Sequence, residues 1–248
     1  MVLFCPYSRR SEELLAKIGI GIDTGGTYTD AVAYDFGSHT LLSSAKAQTT
    51  REDLSIGIGN ALDALPREQV RAAEMVSLST TLATNASVED KGGRARLLFI
   101  GADRWVVERY GPEYGLPLDG EIFYLEANTT TAGEILVEPD WEAFRRRADP
   151  WIQGACGIGI VDRDAMDNGG VLERKGQELV SGAWDLPVVC GHEMFSDLNS
   201  LRRGSSVLLN ARLVPLITEF LRAARLALGK RSVAAPVLIL RSDGTLMS

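Results

Sequence analysis

The segment Ile18-Gly-Ile-Gly-Ile-Asp-Thr-Gly-Gly-Thr-Tyr-Thr-Asp30 constrains this chain more than any other. Ile18, Ile20 and Ile22 alternate with Gly19 and Gly21, the period of a β-strand. Gly25-Gly26 interrupts the run, and Thr27 to Tyr34 reads as a second strand, so the pattern predicts a β-hairpin. A two-residue Gly-Gly turn would set Thr24 opposite Thr27, Asp23 opposite Tyr28 and Gly21 opposite Asp30. The isoleucines then face a core, while Gly19, Gly21, Asp23 and Asp30 share the other face. On that register the two carboxylates form a diagonal pair at roughly 7–8 Å. A tight glycine turn can aim several backbone N–H groups at one point and so bind an anion. Carboxylates beside a phosphate cradle are compatible with it when a divalent cation neutralises both. The simpler alternative is an ordinary hairpin with a glycine turn.

The bulk properties narrow the classes. A chain of 248 residues forms one large or two small domains. Its 45% hydrophobic and 24% charged residues are usual for a soluble globular protein. A net charge of −7 argues against a nucleic-acid partner. The longest apolar runs are far shorter than a membrane span. Three cysteines, Cys5, Cys156 and Cys190, stand at no metal or redox spacing. They read as free thiols in a reducing cytoplasm, Cys156 and Cys190 being buried. Residues 1–17 are broken by Pro6, Ser8-Arg9-Arg10 and Glu12-Glu13 and lack a signal-peptide core. They read as an N-terminal helix or an extension.

Further along, Thr40–Thr49 reads as a third strand and Glu52–Leu65 as a helix with Leu54, Ile58, Ala61, Leu62 and Leu65 on one face. Residues 66–76 offer a weak domain break. Met75–Ser79 is a short strand. Ser79-Thr-Thr-Leu-Ala-Thr-Asn-Ala86 then gathers hydroxyls where a strand hands over to a helix. They could cap that helix or face an anion at its N-terminus. Arg94–Ile100 is a strand. Residues 103–117 read as an aromatic loop and 119–136 as a strand pair. Pro139–Ala148 is a helix, Gly154–Val161 a strand, Val171–Gly182 a helix, Pro187–Cys190 a strand, Asn199–Leu228 a long helix and Pro236–Leu240 a last strand. Asp162, Asp164 and Asp167 fall at the wrong offsets for an EF-hand and read as an acidic loop. His192, one of two histidines, could serve acid–base chemistry with Glu193 or merely close a loop. No second histidine or cysteine stands at a ligand spacing to it, which argues against zinc. The order is α/β, a mixed sheet with antiparallel first strands followed by alternating strands and helices.

Three stretches together resemble the N-terminal half of the hydantoinase/oxoprolinase family of ATP-dependent cyclic-amide hydrolases, which has relatives among acetone-type carboxylases. They are Gly21-Ile-Asp-Thr-Gly-Gly-Thr-Tyr-Thr-Asp30, Ser79–Ala86 with Lys91-Gly92, and Arg203–Leu221 followed by Arg241–Ser248. The first alone signals only the actin, Hsp70 and sugar-kinase superfamily. The resemblance implies a ribonuclease-H-like fold, with residues 18–248 as the first lobe of a two-lobed, actin-like ATPase. It implies that the hairpin cradles the β- and γ-phosphates of ATP through Gly25, Gly26, Thr27 and Thr29. Asp23 would act on Mg²⁺, assisted in catalysis by Asp30. Thr80, Thr81 and Asn85 would lie near the phosphates or substrate. The implied reaction is phosphoryl activation of a lactam oxygen, of the hydantoin or 5-oxoproline type, followed by ring opening. Alternatives are a small-molecule kinase or ATP-gated activator of the same superfamily, or a non-catalytic binding module. This sequence lacks the second Gly-rich phosphate motif, the adenosine site and the Asn-Pro-type loop near residues 162–170. The resemblance therefore implies that either a second lobe or a second subunit, the latter in a hetero-oligomer, completes the ATP site.

Overall fold

The computed structural model describes residues 17–82, 85, 93–117, 120–241 and 243–247. Two compact units emerge, Met1–Asn85 with Thr218–Ser248, and Ala86–Ile217. The weak break at 66–76 falls inside the first unit. Residues 1–16, Lys91, Gly92 and most of the helix expected after Ser79 lie outside the described residues.

The first unit is built on a six-stranded mixed sheet in the order β12-β11-β4-β1-β2-β3. Its strands are β1 (Ile18–Thr24), β2 (Tyr28–Asp35), β3 (Thr40–Gln48), β4 (Met75–Thr80), β11 (Val237–Leu240) and β12 (Leu246–Met247). β1, β2 and β3 are antiparallel, as the sequence suggests, while β1 pairs with β4 and β4 with β11 in parallel. The alternation in β1 and β2 has its expected result: Ile20, Ile22, Ala31 and Ala33 are buried. They pack with Ile58, Ala61 and Leu62 of helix α1 (Leu54–Asp63) and with Phe220, Ala224 and Leu228 from the end of a long helix, α7 (Ser200–Gly229). Each fully buried Ile, Leu or Phe contributes roughly 1.5–3 kcal/mol here. A second helix, α2 (Arg67–Arg71), adds Val70 to this core. Asp53 caps α1, accepting from the Ser55 amide at 2.9 Å. Gly57 lets α1 approach the end of β3, since a Cβ there would lie 2.9 Å from the Gln48 carbonyl oxygen. That contact fixes the segment Gln48–Asp53, which borders the hairpin turn.

The second unit holds a four-stranded parallel sheet in the order β10-β9-β5-β6. Its strands are β5 (Ala95–Ile100), β6 (Ile122–Leu125), β9 (Gly157–Asp162) and β10 (Val188–Cys190). Every residue of β5 and β9 is buried, as parallel strands covered on both faces require. One face packs on α4 (Trp141–Ile152) and α5 (Val171–Ala183) through Phe144, Ala148, Leu172 and Val180. The other packs on α3 (Arg104–Tyr110) and the first half of α7 through Val107, Val207 and Ala211. β10 leads into a short helix, α6 (Gly191–Met194).

Two segments differ from the sequence-based expectation. Residues 103–117 are not a loop: Asp103 accepts from the Trp105 amide at 2.8 Å and starts α3, and a 3-10 turn, Gly111–Tyr114, follows. Gly111 and Pro112 suggested a break, but Leu116 folds back and bonds the Gly111 carbonyl. Residues 119–136 are not one strand pair. β6 joins the parallel sheet, and a separate two-stranded ribbon forms from β7 (Asn128–Thr129) and β8 (Ile135–Val137). Cys190 is buried as expected, whereas Cys156 is half-buried. None of the described helices is long and apolar enough to cross a membrane.

Candidate phosphate-binding site

The hairpin register differs from the two-residue-turn expectation. Asp23 pairs directly with Asp30 and Thr24 with Thr29, so the connection is the four residues Gly25–Tyr28. The Gly25 amide donates to the Tyr28 carbonyl at 2.9 Å and closes this longer turn. The shift is two residues along β2. An even shift keeps every side chain on its predicted face, because strand periodicity is two. Gly19, Gly21, Asp23 and Asp30 therefore still share one face, but the carboxylates are direct rather than diagonal neighbours. Like charges directly opposite repel. Lys46, opposite Asp30 on β3, relieves part of this with an ion pair at 3.1 Å. Asp23 is exposed and has no ion pair among the described residues.

The turn itself is held from the β3 side. The Thr49 hydroxyl donates to the Gly25 carbonyl at 2.9 Å, and the Thr49 amide to the Thr27 carbonyl at 2.9 Å. Arg51 Nε donates to the Gly26 carbonyl at 3.2 Å. Three successive acceptors are thus occupied. The Gly26 and Thr27 amides have no hydrogen-bond partner among the described residues. Two adjacent unpartnered donors on a turn whose acceptors are tied back are groups from which an anion-binding concavity can be built. The cleft beside it, about 320 Å³, is lined by Gly26, Thr27, Gln48, Thr49, Arg51 and Glu52.

The second motif arrives at the same place because β1 and β4 run parallel and both end here, Thr24 opposite Thr80. Thr80 is committed within the fold: its hydroxyl donates to the Thr24 carbonyl at 2.9 Å and accepts from the Leu82 amide at 3.0 Å. Of the two readings of these hydroxyls, Thr80 takes the capping one. Thr81 and Asn85 are exposed, and Asn85 Nδ2 donates to Thr81 Oγ1 at 3.4 Å. A Cβ on Gly26 would stand 3.5 Å from Asn85 Nδ2, and one on Gly25 would stand 3.9 Å from Thr81 Oγ1. Thr29 has its side chain on the core face, fully buried, its hydroxyl donating to Thr49 Oγ1 at 3.0 Å. That side chain supports the turn rather than facing the cleft. The structure therefore gathers Asp23, Gly25, Gly26, Thr27, Asp30, Thr81 and Asn85 around one turn and sets Thr29 and Thr80 behind it. Thr49 and Arg51 belong to the same site but were not singled out from sequence. They follow β3 as an ordinary polar strand end, and nothing in the pattern marks their reach to the turn. The exposed oxygens of Asp23 and Asp30, on a face with little bulk, are hard donors of the kind Mg²⁺ takes together with phosphate oxygens.

The second unit collects another polar cluster at the carboxyl end of its parallel sheet. Asp162, Glu173 and Arg203 are almost wholly buried. Glu173 accepts from the Asp162 amide at 2.8 Å, the His192 amide at 2.7 Å and His192 Nδ1 at 2.7 Å. With Nδ1 protonated, Nε2 accepts from Arg174 Nη1 at 3.1 Å. Asp162 accepts from Asn168 Nδ2 at 2.6 Å and the Asp164 amide at 3.1 Å. Burial still pushes its carboxyl up to about 6. Arg203 donates to the carbonyls of Asp162, at 2.6 Å, and of Arg163 and Asp197. The first aspartate of the expected acidic loop is thus a core residue. Contrary to the spacing argument, ligand atoms of Glu173, Cys190 and His192 lie within 4.8 Å of one another. The Glu173 carboxylate is already engaged by three donors, however, and burial and Glu173 push the Cys190 thiol up to about 12. His192 is therefore a tie to Glu173, not the partner of Glu193.

Comparison with known proteins places these observations. The sequence pattern of the hydantoinase/oxoprolinase N-terminal region matches residues 19–161, more than half of the chain. Caprolactamase subunit alpha from Pseudomonas jessenii is 24% identical over 92% of this chain and 36% of that protein. The crystal structure of ATP-dependent caprolactamase from Pseudomonas jessenii superposes with a TM-score of 0.73, at 24% identity over 92% of this chain and 36% of that one. The nucleotide-free structure of acetone carboxylase, solved to address ATP-dependent acetone carboxylation, gives 0.78 at 18% identity, over 94% of this chain and 37% of that one. The fold is thus the mixed α/β fold of these proteins. The chain spans little more than a third of the length of the relatives it matches.

Proposed function

Because the chain belongs to the hydantoinase/oxoprolinase N-terminal family, we propose that its hairpin turn binds the phosphates of Mg-ATP within an ATP-dependent enzyme acting on a cyclic amide. The observation that carries this reading is the pair of unpartnered amides at Gly26 and Thr27 on a turn whose three carbonyls are held from behind. Asp23 and Asp30 would hold Mg²⁺, whose charge lets two facing carboxylates stand beside phosphate. Thr81 and Asn85 offer further hydrogen-bonding groups at the same edge, while Thr29 and Thr80 brace the turn. In such an enzyme the terminal phosphoryl group of ATP would pass to the lactam oxygen as ADP leaves. Water would then add to the activated carbon, the ring C–N bond would break as the nitrogen takes a proton, and a second water would hydrolyse the resulting acyl phosphate to carboxylate and free phosphate. Positioning and charge neutralisation are the protein's contribution. Relatives named for caprolactam cleavage favour the cyclic-amide class, a hydantoin or 5-oxoproline type ring being the specific substrate we propose. The likeness to acetone carboxylase favours a second reading, ATP-dependent carboxylation. The limited coverage of the relatives supports a partner lobe or subunit that closes the site over the nucleotide, in a cytoplasmic assembly.

Asp23→Ala is expected to reduce substrate-stimulated ATP turnover of the complete enzyme at least ~100-fold, the scale for losing a charge-stabilising group. Near-normal turnover would sink the assignment. Product analysis separates the chemistries: an opened ring marks a hydrolase, a carboxylated product a carboxylase, and a stable phosphorylated product a kinase.

A further inference from the structure

We propose that Arg51, outside every motif shared with the family, is a phosphate-contacting residue of this site; the proposal rests on the nucleotide reading above. Arg51 Nε donates to the Gly26 carbonyl at 3.2 Å, which docks one edge of the guanidinium on the turn. A guanidinium carries five N–H donors in a planar fork, so the Nη groups remain for an anion. Nη2 stands 3.9 Å from the point that a Cβ on Gly26 would occupy, and Asn85 Nδ2 stands 3.5 Å from that point. The space beside Gly26 is thus flanked by two side-chain donors, and the Gly26 and Thr27 amides of the same turn have no partner among the described residues. An oxyanion is the ligand that suits such a set of N–H donors, one of them cationic.

The charge balance supports the same assignment. Lys46 is engaged with Asp30. Among the residues lining the cleft, Arg51 is the cation and Glu52 the anion. The backbone that carries Arg51 is fixed on both sides. Thr49 is bonded to the turn through its amide and hydroxyl, and Asp53 caps α1. Little ordering remains to be done when an anion arrives, which is what preorganisation requires. Gly26 is glycine because a side chain would fill the space these donors surround.

The test is equilibrium binding of Mg-ATP, pyrophosphate and adenosine to the complete enzyme, this chain with its partner lobe or subunit, and to three variants of it, with thermal unfolding as a control. Arg51→Met removes charge and donors. Arg51→Gln keeps a donor for the Gly26 carbonyl but removes the charge. Arg51→Lys keeps the charge without the fork. Charged hydrogen bonds of this kind correspond to roughly 10- to 100-fold in affinity. Losses of that size are expected for Mg-ATP and pyrophosphate with Met and Gln, and a smaller loss with Lys. Adenosine binding and the unfolding temperature should not change. Affinity with Gln equal to that of the parent would show that Arg51 only braces the turn and would overturn the proposal. So would equal losses for adenosine and ATP. Should the complete parent enzyme bind neither Mg-ATP nor pyrophosphate, the nucleotide reading itself fails, which is a different result from a variant series without effect.

Discussion

The hairpin turn of the first unit and the carboxyl end of the parallel sheet in the second use the same residue types with opposite outcomes. Both combine Asp, Asn, Arg and backbone amides. At the hairpin, Asp23 is exposed and the Gly26 and Thr27 amides are unpartnered. At the sheet end, Asp162 and Glu173 are fully buried and every carboxylate oxygen meets a protein donor. The difference teaches how to read polar clusters. A cluster whose hydrogen-bonding groups are used up inside the protein fixes the chain. One with donors left over and open space before them is available to a ligand. Burial alone points the wrong way, since the more buried cluster is the more complete one.

The largest effect that could break this contrast is at Glu173. Glu173→Ala strands the Asp162 and His192 amides and removes one of the carboxylates near the buried Arg203. Losing one partner of a buried charge cluster costs about 3–5 kcal/mol, read as a fall in unfolding free energy in urea. A loss below about 1 kcal/mol would mean that the cluster is not a tie.

Asp162 sets a pH test of similar kind. Its carboxyl is raised from 3.8 to about 6, by burial first, so the fold favours the protonated form. Its contribution is full below about pH 3.8 and disappears as pH rises through about 6. The window corresponds to roughly 3 kcal/mol at 1.36 kcal/mol per unit. Urea midpoints between pH 4 and 8 should show this component, and Asp162→Asn should flatten it.

The smallest stability effect sharpens the contrast from the other side. A Cβ on Gly26 meets nothing closer than 3.5 Å. Gly26→Ala should therefore change stability by no more than about 0.5 kcal/mol, as for other surface sites. It should nevertheless weaken Mg-ATP binding at least ~10-fold by filling the anion's place, measured by calorimetry beside a melting curve.

Local periodicity made the hairpin, its two faces and the helix at 54–63 legible in the sequence. The register was not legible, because it depends on one bond from the Gly25 amide to the Tyr28 carbonyl, and turn length cannot be counted from Gly-Gly alone. Thr29 illustrates the limit of motif matching: it lies within the motif, yet the even period of β2 sends its side chain inward. Glu173 and His192 stand 19 residues apart, on a helix and just past a strand, and only the parallel sheet brings them together. Arg51 follows β3 by a few residues, and its approach to Gly26 comes from tertiary packing of α1 on Gln48–Thr50.

The first unit is discontinuous, and this has a consequence for biosynthesis. Its core joins Ile20 and Ile22 to Phe220, Ala223, Ala224, Ala227 and Leu228, nearly two hundred residues later. Its sheet is finished by β11 pairing with β4. A ribosome emits the hairpin, α1 and α2 early, but the rest of the core, from the end of α7, and the strand β11 emerge only after residues 86–217. Folding proceeds as domains become available during synthesis. The second unit, residues 86–217, can thus condense while the hairpin's core still awaits its C-terminal part. The turn that reads as the phosphate cradle is among the first parts of the chain to be made, yet the core and sheet behind it are completed last. A ribosome stalled before residue 218 would hold a hairpin packed on α1 and α2 alone, without the end of α7 or β11.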